Sequence, residues 1–186
     1  MVVVRGTRCR DGRRVGMITF VTGPVRSGKS SLAVRMAMDI GGEVVFLATY
    51  RQDPSDLGMA TRLELHRAER PASWRTLEAP DDPIAALRAL SPPPSVVLID
   101  CLTLWLGDRI EASDQVIMDS WERHMSAFVQ FPWPTILVSN EIGWSPVSCD
   151  PMLRRFCDLS GLISQRVAKE ASEVWLCVAG CDLRIK

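Results

Sequence analysis

The sequence has little that would place it among zinc-binding, membrane-spanning or nucleic-acid-binding proteins. Its six cysteines form no C-x-x-C pair and only two histidines accompany them, so a structural zinc site is not expected. No apolar run approaches the roughly 20 residues of a membrane span. The 22 basic and 22 acidic residues cancel, which leaves no net charge to attract nucleic acid or an anionic membrane. We expect a cytoplasmic protein with reduced thiols that binds neither.

The length of 186 residues suits one domain with a full hydrophobic core. Residues 1–16 are basic and lack the apolar segment of a signal peptide, so we expect a disordered extension, with Met17 as an alternative start. Residues 17–186 then form the single domain.

One stretch matches the phosphate-binding pattern G-x-x-x-x-G-K-[ST]. Its members are Gly23, Pro24, Val25, Arg26, Ser27, Gly28, Lys29 and Ser30. A β-branched run precedes it and a helix-compatible run follows, so its backbone N–H groups and the helix N-terminus can surround an anion. Lys29 would reach the β- and γ-phosphates, and the Ser30 hydroxyl would hold Mg²⁺. The alternative, a glycine-rich turn that binds nothing, is disfavoured by these flanks.

Further apolar runs alternate with helical patterns along the chain. Strands are predicted at 43–49, 74–78, 95–100, 135–139 and 174–179, the last followed by a turn and residues 183–185. This order favours an α/β fold of the P-loop NTPase-like (RecA-like) type: a mostly parallel sheet flanked by helices, with a C-terminal β-hairpin. Because ligands of such sheets bind beyond the carboxyl ends of the strands, Ala48, Thr49 and Tyr50 should lie beside the glycine-rich loop. Asp100 ends its strand and would hold the Mg²⁺ water shell opposite Ser30.

A helix is predicted from Ser55 or Asp56 to about Glu69. On it Arg62, His66 and Arg70 fall at i, i+4 and i+8, so they share one face that would suit a polyphosphate. Nearby arginines disfavour the imidazolium, which leaves a neutral ring nitrogen able to attack phosphorus. Spacing alone nevertheless favours a solvated helix residue at His66. We assign no catalytic role to His124.

From Ile18 to Lys186 the sequence resembles the bifunctional adenosylcobinamide kinase/adenosylcobinamide-phosphate guanylyltransferase family of cobalamin synthesis. The resemblance rests on several spaced motifs. They are Thr22-Gly23 with Arg26 to Ser30, Ala48-Thr49, Arg62-Leu63 with His66-Arg67 and Arg70-Pro71, Trp74 to Thr76 with Glu78, Leu98 to Thr103, Val138 to Glu141 with Gly143, Arg155-Phe156 with Asp158, Gly161 and Gln165, and Glu173 to Trp175 with Val178 to Gly180 and the end Arg184 to Lys186.

The resemblance implies two reactions at one site. Adenosylcobinamide would first take the γ-phosphoryl group of ATP or GTP. GTP would then give GMP to a histidine, which falls on His66, and the histidine would pass GMP to adenosylcobinamide phosphate. By the same resemblance the residues in contact with GTP are Gly23 to Ser30, Ala48, Thr49, Tyr50, Arg67, Ala68, Glu69, Arg70, Glu78 and Asp100. Mg²⁺ and a homotrimer are also implied.

The sequence departs from the family pattern after Glu141. Gly143 to Ser148 replaces a Gly-x-Gly-Ile-Val-Pro loop, and Cys157 and Ser164 replace the family's Arg and Asn. These changes concern the acceptor or a neighbouring subunit rather than nucleotide binding. Two alternatives stay open: a simple P-loop small-molecule kinase in which His66 is inert, and a nucleotide-binding regulatory or motor subunit.

Overall fold

The computed structural model describes residues 16–51, 67 and 70–186, and within them seven strands and five helices. The strands are β1 Ile18–Gly23, β2 Val44–Ala48, β3 Arg75–Glu78, β4 Val96–Asp100, β5 Thr135–Asn140, β6 Glu173–Val178 and β7 Cys181–Arg184. The helices are α1 Lys29–Ile40, α2 Pro83–Arg88, α3 Leu102–Gly107, α4 Asp114–Gln130 and α5 Pro151–Glu170. Most of the predicted helix that ends at Glu69, and all but Gly16 of the predicted extension 1–16, lie outside the described residues, so the domain boundaries stay a prediction.

The strands form one sheet in the order β3-β2-β4-β5-β1-β6-β7. Every neighbouring pair is parallel except β6 and β7, which are antiparallel and joined by a two-residue turn. The predicted α/β fold with a C-terminal hairpin is thus confirmed. Gly23 lies opposite Asn140, and Ala48 opposite both Asp100 and Glu78, so the carboxyl ends of five parallel strands meet at one edge.

The core lies on both faces of the sheet because side chains alternate along each strand. In β2, Val45 and Leu47 belong to the cluster under α3, α4 and α5, whereas Phe46 belongs to the cluster under α1. The two apolar layers hold the sheet rigid, so the backbone groups at its carboxyl edge have defined positions.

Local differences from the sequence predictions concern mainly the ends of elements. The apolar segment after Asp100 forms α3, and its residues Leu102, Trp105 and Leu106 are buried. Helix α5 begins at Pro151, because the Asp150 side chain accepts a hydrogen bond from Met152 N at 2.8 Å and caps it. Among the described residues, none of the helices has the length and apolarity to cross a bilayer.

Candidate nucleotide site

The loop between β1 and α1 has the backbone geometry of a tight anion-binding turn. Gly28 caps α1 with φ +95°, and its carbonyl accepts a hydrogen bond from Leu32 N at 2.9 Å. A Cβ on Gly23 would lie 2.3 Å from the Cys177 carbonyl oxygen, so only glycine fits there. Ser27 N donates to Pro24 O at 3.2 Å and closes the turn. The loop therefore presents the start of α1, with its unpaired N–H groups and positive dipole end, at the carboxyl edge of the sheet.

Lys29 lies at the base of this loop with only 8% of its surface exposed. Its Nζ donates to Pro24 O at 3.2 Å. Burial lowers the pKa of Lys29, and the nearby Asp100 carboxylate partly offsets that effect. The ammonium group is thus held in a partly desolvated position where an anion would restore its favourable environment.

Ser30 and Asp100 are brought together as the sequence predicted. Ser30 Oγ donates to Asp100 Oδ2 at 2.9 Å, although the two residues are 70 positions apart. A hydroxyl and a carboxylate are oxygen donors of the type that Mg²⁺ prefers, so this pair fits the predicted cation. No cluster of three or more His, Cys, Asp or Glu side chains in the described ranges could hold a metal. Mg²⁺ in proteins is commonly held by one or two carboxylates, with water and substrate phosphates as its other ligands.

The ends of β2 and β4 are joined beside this pair. Thr49 N donates to Asp100 O at 3.3 Å, and Thr49 Oγ1 donates to Cys101 O at 2.6 Å. Ala79 N donates to Ala48 O at 2.8 Å, which ties in the end of β3. The segment Ala48 to Tyr50 thus lies at the same edge as Asp100, where the sequence placed it.

Two arginines reach the outer strands of this edge. Arg67 Nη2 donates to Glu78 Oε1 at 3.0 Å, and both side chains are about half exposed. The guanidinium carbon of Arg70 lies 3.3 Å from the centre of the Phe46 ring on β2. The structure thus brings Arg67 and Glu78 together, whereas His66, Ala68 and Glu69 lie outside the described residues and their roles stay predictions.

A comparison with known families matches residues 19–185 to the model described as cobinamide kinase / cobinamide phosphate guanyltransferase. The chain belongs to this family of enzymes. It is 37% identical over 171 residues to the bifunctional adenosylcobalamin biosynthesis protein CobP of Pseudomonas aeruginosa, covering 91% of this chain and 98% of that protein. It is 34% identical over 184 residues to the bifunctional adenosylcobalamin biosynthesis protein CobU of Escherichia coli, covering 91% of this chain and 100% of that protein.

In this member of the cobinamide kinase / cobinamide phosphate guanyltransferase family, His124 is a core residue. It is buried on α4 among Trp105, Trp121 and Phe128, and its Nδ1 lies 2.6 Å from Ser120 O. Burial lowers the pKa of His124, so the ring is neutral near pH 7. Its enclosure by aromatic rings is that of a residue that packs in the core.

Sequence reasoning missed a polar network at the tips of β4 and β5 in this family member. Asn140 Nδ2 donates to Thr103 Oγ1 at 2.8 Å, and the Thr103 hydroxyl is 3.1 Å from Cys101 Sγ. Burial and the adjacent Asp100 raise the pKa of Cys101 to about 11, so this thiol stays protonated. The signal that could have found this network is the hydroxyl of Thr103 just beyond a buried strand, because ligands of such sheets bind beyond the carboxyl ends of the strands.

Proposed function

We propose that this enzyme phosphorylates adenosylcobinamide with ATP or GTP and then transfers GMP from GTP, through His66, to adenosylcobinamide phosphate. The products of the second reaction are adenosylcobinamide-GDP and pyrophosphate. The observation that carries the proposal is the contact between Ser30 and Asp100 beside the buried Lys29, at the end of a glycine-rich loop. The family match over residues 19–185 supports the identity of the acceptor.

In the first reaction the glycine-rich loop would bind the triphosphate. Its N–H groups and the Lys29 ammonium would contact the β- and γ-phosphates. Ser30 and Asp100 would hold Mg²⁺, which neutralises charge on the phosphate oxygens when it is bound. The acceptor hydroxyl oxygen forms a bond to the γ-phosphorus, the bond to the β–γ bridging oxygen breaks, and the hydroxyl proton is lost. The protein supplies mainly positioning and positive charge.

In the second reaction a neutral His66 nitrogen would attack the α-phosphorus of GTP, and pyrophosphate would leave. A phosphate oxygen of adenosylcobinamide phosphate then attacks the same phosphorus and releases the imidazole. GMP is thus transferred to the acceptor and the free histidine is regenerated. The chain has two histidines, and the other, His124, is enclosed in the core. Arg67, which follows His66 in the chain, is paired with Glu78 at the edge of the sheet.

This proposal also includes the finer features that the resemblance implies. They are use of Mg²⁺, contact of Ala68 and Glu69 with GTP, assembly as a homotrimer, and a cytoplasmic location. Use of Mg²⁺ is supported by the contact between Ser30 and Asp100, and the cytoplasmic location by the expectation of reduced thiols. The roles of Ala68 and Glu69 and the homotrimer follow from the family resemblance.

The proposal is tested by separating the two products on a reversed-phase column. The purified protein is incubated at pH 8 with adenosylcobinamide, Mg²⁺ and either ATP or GTP. With GTP the unaltered protein should make adenosylcobinamide-GDP; with ATP alone it should stop at the phosphate. Lys29→Ala should make neither product, because both reactions use the triphosphate. His66→Ala should still phosphorylate the acceptor but lower guanylyl transfer by roughly a thousandfold or more.

His124→Gln is the matched control at the second histidine and should make both products. Equal loss of both reactions in His66→Ala would contradict the nucleophilic role and leave His66 as a group that only positions phosphates. If the unaltered protein makes only adenosylcobinamide phosphate, even when GTP is present, the enzyme is a simple kinase.

A further inference from the structure

The turn between β6 and β7 lies directly against the glycine-rich loop, although the two are far apart in the sequence. Gly180 N donates to Ser27 O at 3.0 Å across 153 positions of the chain. A Cβ on Gly28 would lie 3.4 Å from Gly180 Cα, and one on Gly23 would collide with Cys177 O at the end of β6. The C-terminal hairpin therefore contacts the loop at both its first and its last glycine.

The contact at Ser27 has a consequence for the direction of the next N–H group. In a planar trans peptide the C=O and N–H bonds point in opposite directions. Because Gly180 N–H holds the Ser27 carbonyl towards the hairpin, the N–H of Gly28 points away from the hairpin. The hairpin thus sets the orientation of one of the N–H donors on which anion binding by such a loop depends.

The turn that makes this contact depends on its own backbone. Ala179 and Gly180 both have positive φ values, +52° and +81°, as in the tight turns that join twisted antiparallel strands. Beyond the turn, Asp182 Oδ2 lies 2.8 Å from Arg35 Nη2 on α1, the helix that begins in the glycine-rich loop. The hairpin is therefore held to the loop on one side and to its helix on the other.

We propose that Gly180 is a positioning residue for the phosphates of the nucleotide. The turn fixes the peptide between Ser27 and Gly28 before the nucleotide arrives, so less conformational freedom is lost on binding. This inference rests on the proposed function, because it takes the glycine-rich loop as the triphosphate site. It predicts that changes in the turn weaken nucleotide binding without a matching effect on the acceptor.

The test compares Gly180→Val with Gly180→Asn. An added Cβ meets nothing within 4 Å, so there is space for the first side-chain atom in both variants, and valine and asparagine differ in their tolerance of φ +81°. The Kd of a GTP analogue with a methylene β–γ bridge is measured with Mg²⁺ by calorimetry. We expect Gly180→Val to weaken binding of the analogue roughly five- to thirtyfold, which is the factor that corresponds to a strain of about 1–2 kcal/mol. Gly180→Asn should recover most of that loss, and the KM for adenosylcobinamide should stay unchanged in both.

A second pair of variants keeps the test decisive if Gly180→Val does not fold. Arg35→Met removes the ion pair between α1 and the hairpin and should weaken analogue binding about two- to fivefold. Arg184→Met is the matched control, because it removes the partly buried pair with Glu173 at the far end of the same hairpin. It should leave the Kd unchanged.

The outcomes separate this inference from the proposed function. If the unaltered protein fails to bind the analogue, the proposed function fails. If the unaltered protein binds it and Gly180→Val or Arg35→Met binds equally well, the positioning role is overturned. A rise in the KM for adenosylcobinamide as large as the rise in the Kd of the analogue would also overturn it, because it would indicate a general structural effect.

Discussion

Replacing Lys29 with methionine separates a binding role from a structural one. The lysine is buried, and burial lowers its pKa, so its charged form is disfavoured in the folded protein. Methionine has a similar length and no charge, so it removes the desolvation cost together with the ammonium group. If Lys29 serves phosphate binding, its replacement should therefore change the free energy of unfolding little but weaken nucleotide binding strongly.

The magnitudes follow from the contacts. Within the part of the chain that the structure describes, the variant loses the hydrogen bond to Pro24 O, worth about 1 kcal/mol, and relief of the buried charge opposes this loss. The free energy of unfolding should therefore change by no more than about 1 kcal/mol in either direction. The lost hydrogen bond to a charged phosphate is worth about 1.5–3 kcal/mol, which corresponds to a 10- to 150-fold weaker Kd.

The assay combines urea unfolding with calorimetric titration of the methylene-bridged GTP analogue. Lys29→Arg is the control, because it keeps the charge but not the compact ammonium geometry, and it should recover only part of the affinity. A Lys29→Met variant that loses several kcal/mol of stability and binds the analogue normally would refute the reasoning. Lys29 would then be a structural residue that happens to lie in the loop.

Three further predictions follow from other contacts. Asp100→Asn keeps a hydrogen-bond partner for Ser30 but removes the charge, so the Mg²⁺ concentration for half-maximal kinase activity should rise about 10- to 100-fold; an unchanged Mg²⁺ dependence would exclude the proposed cation role. Gly23→Ala should lower the free energy of unfolding by about 1–3 kcal/mol in urea, because its Cβ would meet Cys177 O; wild-type stability would mean that the loop tolerates a side chain. The free energy of unfolding should fall as the pH drops below 6.5, because His124 binds a proton more readily in the unfolded chain than in the folded one. His124→Gln should lose less stability than the unaltered protein over the same pH range. The same pH dependence in both proteins would contradict this.

The parts of the site that the sequence predicted are those set by local chemistry. A glycine-rich loop before a helix and Asp100 at the end of a buried strand both follow from short patterns with one stable geometry. Their meeting at one edge follows from the parallel sheet, because all the strands point their carboxyl ends the same way. Ser30 could therefore be paired with Asp100 before any coordinates were known.

The remaining contacts depend on how distant segments pack, which no local pattern records. Gly180 reaches Ser27 only because β6 lies beside β1 and the turn between β6 and β7 comes level with the glycine-rich loop. Thr103 reaches Asn140 only because β4 and β5 are neighbours and α3 begins directly after β4. Both pairs consist of small residues whose role comes from position rather than from their own chemistry.

The central claim is that His66 carries GMP between GTP and the acceptor. It is tested most directly by incubating the protein with Mg²⁺ and GTP labelled on the α-phosphate, without acceptor, and isolating the protein under denaturing conditions. The account predicts label bound to the protein that is stable in base, lost in acid, carried on the peptide that contains His66, and absent in His66→Ala. An unlabelled protein, or label that persists in His66→Ala, would contradict it.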